Sequence, residues 1–186
     1  MSNLLINISM ASQFLNFLDS EREHWTFQTF DDNADRKDKR LTRVLNGPLE
    51  EHADTLITLN QKGAGVFVTV NQTDGSGRKK VNITGVNAVW IEDDSGQLQL
   101  PLESHITVES SPGKFHNYFL LKDASANDFH KIQGQLVKKW GSDPNAKDIS
   151  RVLRLPGFYH QKVDSRKGLT GEPWLVRIVG GACHEG

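Results

Sequence analysis

The run Val86–Asp94, VNAVWIEDD, is an apolar, β-prone stretch that ends in three consecutive carboxylates. Side chains alternate faces along a strand, so Glu92 and Asp94 share a face and Asp93 points to the other. Two carboxylates at i and i+2 on the end of a buried strand make a compact site of hard oxygens. A divalent ion carrying phosphates needs such a site. The same residues also read as a polar turn where a strand stops.

Two later segments bear on that choice. In Glu109–Phe119, ESSPGKFHNYF, a strand runs into a Ser-Ser-Pro-Gly turn and a second strand follows. Small residues in the turn let a ligand approach the backbone. Lys114 and His116 fall on one face of the outgoing strand, and both can donate hydrogen bonds to phosphate oxygens. The plainer alternative is a hairpin with a surface lysine and a partly buried histidine. In Asp148–His160, DISRVLRLPGFYH, Asp148, Arg151 and Arg154 recur at intervals of three. Successive helical turns would project them close together, with the two arginines placed for bidentate phosphate contacts. The alternative is an exposed, charged helix edge with Asp148 as N-cap. Leu155-Pro156-Gly157 then turns the chain.

The elements that must position these residues follow from pattern. The chain has 186 residues, enough for one sizeable domain or two closely joined subdomains. A formal net charge of −1 gives no global basic signature, so any nucleic-acid binding must use a local patch. Cys183 is the single cysteine, which excludes an internal disulfide, fits a reducing compartment and leaves no zinc site expected. The N-terminal stretch lacks a basic region before an apolar one, so no signal peptide is expected, and no apolar run is long enough to span a membrane. A cytoplasmic protein is the expectation. Helices are predicted over Ser9–Asp19, Pro48–Gln61 (closing at Gly63) and from Ser125 to Trp140, the last with a capping-box spacing to Asp128 and a stop at Gly141. Strands are predicted over Trp25–Phe30, Val66–Val70, Val86–Ile91, His105–Glu109, Phe115–Lys122 and Pro173–Val179, with turns at Asp74–Gly77 and a charged loop over Asp31–Arg43. Few helices among many strands imply an α+β domain with a mainly antiparallel sheet. Residues 1–180 are expected to form the core, and the Gly-rich tail 181–186 to lead as a linker into a further C-terminal region.

Read together, Gly65–Asn71 (GVFVTVN), Glu92/Asp94, Ser111–His116 (SPGKFH) and Asp148–Phe158 (DISRVLRLPGF) resemble the archaeo-eukaryotic primase superfamily. The similarity is to its RepB-like branch, the primase–polymerase domains of phage and plasmid replication proteins. It extends from about Phe27 to Lys162. One departure is the first acid, Glu92, where Asp is usual. Mixed Asp/Glu pairs occur in related members, and strand alternation favours Glu92 over Asp93 as the partner of Asp94.

The resemblance implies an RNA-recognition-like antiparallel sheet with flanking helices and an N-terminal α/β layer. It implies template-directed nucleotidyl transfer on single-stranded DNA, with Mg²⁺ or Mn²⁺ held by Glu92, Asp94 and Asp148. His116, Lys114 and Ser111 would meet the nucleoside triphosphate. Arg151 and Arg154 would hold phosphate or template, and Arg78, on the loop Asn71–Arg78, would approach nucleotide or template. His160 and Lys162 would extend the basic surface, and a helicase module in the same or another chain is an expected partner. Two other classes compete. Lys62–Val70 loosely echoes an RNA-recognition motif, which would make a non-catalytic binding module, but Phe67 is its sole aromatic and is expected in the core. A replication-initiator nuclease would need a His-hydrophobe-His pair, and His116, His130 and His160 have no second histidine two residues away. Trp25, Trp90, Trp140 and Trp174 are expected to serve the core, and His24 and His52 to be satisfied structural residues near helical faces.

Overall fold

The computed structural model describes residues 4–182. Cys183 and the end of the expected tail, 183–186, lie outside the described residues. Helix α1 (Ile8–Leu18) starts where the Asn7 side chain accepts from the Met10 N–H, and buries Ala11, Phe14, Leu15 and Leu18. That spacing is one helical face. Strand β1 (Trp25–Asp31) follows, then β2 (Arg43–Gly47), a short strand that the charged composition of its approach conceals. Helix α2 (Leu49–Gln61) has Pro48 as its N-cap and ends at Lys62, before Gly63. Strands β3 (Ala64–Thr69), β4 (Gln72–Thr73), β5 (Ile83–Asp93), β6 (Ile106–Ser111) and β7 (Lys114–Ala124) come next. Helix α3 (Ala126–Trp140) carries the expected Ser125/Asp128 capping box and stops at Gly141 in the left-handed region, φ 73°. Short strands finish the chain: β8 (Val152–Arg154), β9 (Tyr159–His160), β10 (Val163–Asp164), β11 (Leu169–Thr170), β12 (Trp174–Leu175) and β13 (Arg177–Gly180).

Two antiparallel sheets dominate, one in the order β2-β1-β3-β8 and one in the order β13-β6-β7-β5-β4. The ribbons β10–β11 and β12–β9 lie beside them. The fold is α+β and mainly antiparallel. One continuous core joins Phe14 of α1, Phe27 and Val68 of the first sheet, Trp90 and Tyr118 of the second, and Phe129 of α3.

Three sequence expectations need correction. Residues 148–154 are not successive helical turns: a single 3₁₀ turn, Pro144–Lys147, precedes them, and Asp148 leads through a turn at 149–150 into β8. Pro144 starts the turn, and Val152 and Leu153 are better suited to the edge of a sheet. Phe67 is not in the core. It lies in register with Gln28 and Arg154 on the outward face of the first sheet, because Val66 and Val68 take the inward positions. Trp25 and Trp90 are buried, but Trp174 lines a cleft. His52 is satisfied as expected, with Nε2 3.0 Å from the Asn46 carbonyl, whereas His24 is exposed before β1.

The acidic strand β5 has one side against β7. Beyond Val86 its other side has no strand neighbour among the described residues. Side chains close that edge. Asn71 Oδ1 accepts from Asn87 N at 2.9 Å and Ala88 N at 3.4 Å. Gln133, fully buried on α3, accepts from Trp90 N at 3.0 Å and donates to Trp90 O at 2.8 Å. Ser142 Oγ accepts from Glu92 N at 3.0 Å, and Asp143 N donates to Glu92 O at 3.4 Å. Each imitates a missing ladder bond, since a buried, unpaired backbone group is costly. Gln133→Leu preserves bulk but strands both Trp90 groups. A loss of about 2–4 kcal/mol is expected in denaturant unfolding, larger than for Gln133→Glu at a pH where that carboxyl is protonated.

Candidate active-site cleft

The three carboxylates at the end of β5 have different fates. Asp93 turns inward and caps the following turn, accepting from Ser95 N, Ser95 Oγ, Gly96 N and Leu98 N at 2.7–3.0 Å. Burial opposes its ionisation, but the hydrogen bonds from Ser95, Leu98 and Gly96 outweigh burial and lower its pKa. Its oxygens are committed to the backbone. Glu92 and Asp94 stand on the other face. Glu92 is paired side-on with Arg151 in a bidentate contact, Nε–Oε1 3.0 Å and Nη2–Oε2 2.9 Å. Asp94 is open to solvent, with 72% of its side chain exposed, and holds Lys114 Nζ at 3.0 Å. Asp148 accepts from Ser150 N and Ser150 Oγ in its own turn, close enough to Arg151 for an electrostatic influence. Among the described residues, no three His, Cys, Asp or Glu side chains gather at ligand distance. Glu92, Asp94 and Asp148 are therefore not a preformed triad, because each is already engaged by a nearer cation or by its own loop.

A cleft of about 560 Å³ opens beside Asp94. Its charged lining is mostly cationic, Lys114, Arg154, Lys162 and Lys167 against Asp94 and Glu172. Ser110, Ser111 and Pro112 of the hairpin form one wall, and His160 and Trp174 another. The hairpin owes its tight shape to Gly113, φ 69°, whose N–H donates to Glu109 Oε1 at 3.1 Å. Arg154 is fixed rather than free. Its guanidinium makes a bidentate pair with buried Asp32, at 3.0 and 2.8 Å, and lies 4.7 Å from the Phe67 ring centroid. Gly65 makes room for this pair: a Cβ there would come within 2.5 Å of Asp32 Oδ1 and 2.7 Å of Arg154 Nη1. That accounts for the glycine in GVFVTVN. Ser111, Lys114 and Arg154 thus share one cleft with Asp94. Arg151 stands at Glu92, outside the cleft lining.

His116 sits opposite Glu92 in the β5–β7 register. Its Nδ1 is shut away from solvent with no partner. Burial, reinforced by Arg154 and Arg151, pushes its pKa down to about 3. His160, in the cleft wall, is pushed down to about 4 by burial and then by Arg154. Neither ring is charged at neutral pH. The sequence left His116 as a donor to phosphate; a neutral ring still offers one N–H.

Arg78 lies elsewhere. It bonds Gln28 Oε1 and stands 5.5 Å from the Phe30 ring centroid. It lines a second groove on the outward face of the first sheet, with Phe30, Val44, Lys79, Lys80 and Ser150. Both aromatics of that face are engaged, Phe30 and Phe67 edge to face with centroids 5.6 Å apart and each under an arginine. A free stacking platform is therefore not presented. Sequence reading missed Asp32, Asn71, Gln133, Ser142 and Trp174. Only Asn71 carried a signal, as the polar end of an apolar strand.

The two histidines set a pH dependence. The unfolded chain takes up protons near pH 6.5, whereas the folded chain refuses them down to about 4 at His160 and about 3 at His116. Their contribution is present above pH 6.5 and is lost as pH falls through that window. Unfolding free energy should therefore drop between pH 6.5 and 4, with a slope of about one proton per histidine. His116→Gln and His160→Gln should each flatten it, as read by denaturant titrations at stepped pH.

The two-sheet α+β fold is that of the archaeo-eukaryotic primases. The model of the RepB DNA-primase N-terminal domain matches residues 88–184, just over half of the chain, and the chain belongs to that family. Its function is of the primase type, in DNA replication. Among solved structures, the archaeo-eukaryotic primase domain of the cyanophage S-2L primase-polymerase is similar over 97% of this chain and 93% of its own, with TM-score 0.71 and 18% identity. Primase RepB′ is similar over 95% of this chain and 57% of its own, with TM-score 0.66 and 18% identity. The catalytic domain of primase RepB′ in complex with initiator DNA covers 95% and 85%, with TM-score 0.64 and 16% identity. At these identities the likeness is one of fold. No curated protein matches the sequence.

Proposed function

We propose that this chain is a divalent-metal-dependent primase–polymerase that joins nucleotides on a single-stranded DNA template in phage or plasmid replication, in the cytoplasm of the host cell. The observation that carries this reading is a pair of strand-end carboxylates on one face of β5, of which Asp94 lines a cationic cleft and Glu92 stands two residues before it. Glu92 already holds Arg151, and Asp94 holds Lys114. A triphosphate entering the cleft offers Lys114 a stronger partner than Asp94, because it carries several charges in one group. Lys162 and Lys167 would meet it from the other wall, and Ser111 from the hairpin. Arg154, locked by Asp32, presents its charge without reorganising, which suits a group that must stabilise charge building up on phosphate. His116 would donate its one N–H near the same phosphates.

The metal fits by donor chemistry. Glu92 and Asp94 supply only carboxylate oxygens, the ligands that Mg²⁺ and Mn²⁺ favour. They are the groups that would hold it, with Arg151 and Lys114 released toward phosphate. Asp148 is the third proposed ligand, through its oxygen not committed to Ser150. When bound, the ion neutralises the triphosphate and activates the attacking hydroxyl. Support for DNA as the template comes from the RepB′ catalytic domain, which was solved with initiator DNA.

Asp94→Asn tests the proposal directly. Asp94 is exposed and pairs only with a surface lysine, so the fold should be unaffected. Primer synthesis on single-stranded DNA with Mn²⁺ or Mg²⁺ should fall by orders of magnitude, with an unchanged melting temperature. Full synthesis by the variant would refute the site. DNA binding with no nucleotide incorporation by the unaltered chain would favour a binding module instead.

A further inference from the structure

Two side chains of the cleft wall carry polar atoms without a partner: Trp174 Nε1 and His160 Nε2. The two residues face each other across the ribbon β12–β9, in direct register. Opposed residues of an antiparallel pair share a face, with Cβ atoms roughly 5 Å apart.

Their chemistry is complementary. An indole nitrogen can only donate. His160 Nδ1 lies 2.9 Å from the Ser110 carbonyl oxygen, which can only accept, so Nδ1 carries the ring proton. In the neutral ring Nε2 is then an acceptor. Burial and the nearby Arg154 keep the ring neutral at pH 7. A donor and an acceptor thus stand side by side without bonding each other. Buried polar atoms are nearly always paired, with protein, ordered water or a ligand, and this orphan pair, unlike the others, lies on residues that line the cleft.

The smallest group that satisfies both is a hydroxyl, which accepts from one side and donates to the other. A fully ionised phosphate cannot do this, since it has no proton to give to Nε2. A nucleobase edge offers both functions, but in templated synthesis that edge must stay free to pair. The position also favours the sugar. His160 lies within electrostatic reach of Arg154 and Lys162, the cations of the phosphate end, and the sugar is the part of a nucleotide next to its phosphates. We infer that Trp174 and His160 together bind a hydroxyl of the nucleotide's sugar, and so set the preference between ribo- and deoxynucleotides. The inference rests on the nucleotidyltransferase reading of the cleft.

The test compares ATP, 2′-deoxyATP and 3′-deoxyATP. Their affinities for the full chain are read by calorimetry, and incorporation of the first two on a single-stranded template is read alongside. The unaltered chain should bind the analogue lacking the contacted hydroxyl about 3- to 10-fold more weakly, the range for one neutral hydrogen bond. Whichever analogue is penalised identifies the hydroxyl as 2′ or 3′. Trp174→Phe keeps the ring but loses the N–H, and His160→Leu loses the acceptor. Each should erase the penalty, and His160→Gln, which keeps an acceptor, should restore part of it. Melting temperatures establish that each variant is folded; if Trp174→Phe is not, the contrast between His160→Leu and His160→Gln decides. Equal ratios among the three nucleotides in the unaltered chain and the folded variants overturn the inference, while incorporation by the unaltered chain keeps the enzymatic reading. Failure of the unaltered chain to bind or incorporate any of them overturns both.

Discussion

The open edge of β5 is the constraint from which the rest of the arrangement follows. A buried strand with one unpaired side would expose its amides to an apolar interior. Here the missing strand is replaced by Asn71, Gln133 and Ser142, drawn from the end of β3, from α3 and from the segment after α3. These contacts fix β5 and also tie the two sheets together. Asn71 reaches both ways, accepting from β5 and donating to the Ile149 carbonyl at 3.0 Å. The segment bearing Asp148 and Arg151 is thereby held at the acidic end of the strand.

Charge follows the same economy of placement. Three cations near the site are each paired with a specific acid: Arg151 with Glu92, Lys114 with Asp94, Arg154 with Asp32. The three pairs differ in exposure, and so in how readily they exchange. The Lys114–Asp94 pair is in water, where such contacts contribute little and break easily. The Arg154–Asp32 pair is enclosed, where loss of either partner leaves a buried charge at a cost of roughly 3–5 kcal/mol. The cleft therefore combines a rigid cation, Arg154, with a readily exchanged one, Lys114.

Much of this was legible in the residues. The helix over 126–140 announced itself through Ser125, Asp128 and Gly141, because caps are local. The sharing of a face by Glu92 and Asp94 followed from strand alternation alone. Distant partners were not legible. Nothing local marks Asp32 as the mate of Arg154, 122 residues away, or Gln133 as the surrogate ladder partner of Trp90. Spacing misled over 148–154, where intervals of three suggested a helix although the valine and leucine between the arginines fit an edge strand. Phe67 was misplaced because an aromatic in an apolar strand looks inward until its neighbours, Val66 and Val68, are seen to take that side. The short β2 was hidden by its charged approach.

The long reach of the site contacts bears on the order in which the molecule can assemble. Glu92 waits for a residue 59 positions later, and Asp32 for one 122 positions later. The first sheet gains its outer strand β8 only when residue 154 has arrived. Contacts so far apart in sequence close slowly. During synthesis from the N-terminus, β1, β2 and β3 would exist for some time with the β3 flank bare and Asp32 lacking its counter-charge. An unpaired strand edge of that kind is open to other chains. The cleft, whose lining runs on to Trp174, is thus completed only after β8 has covered the β3 flank and the nascent sheet has ceased to be adhesive.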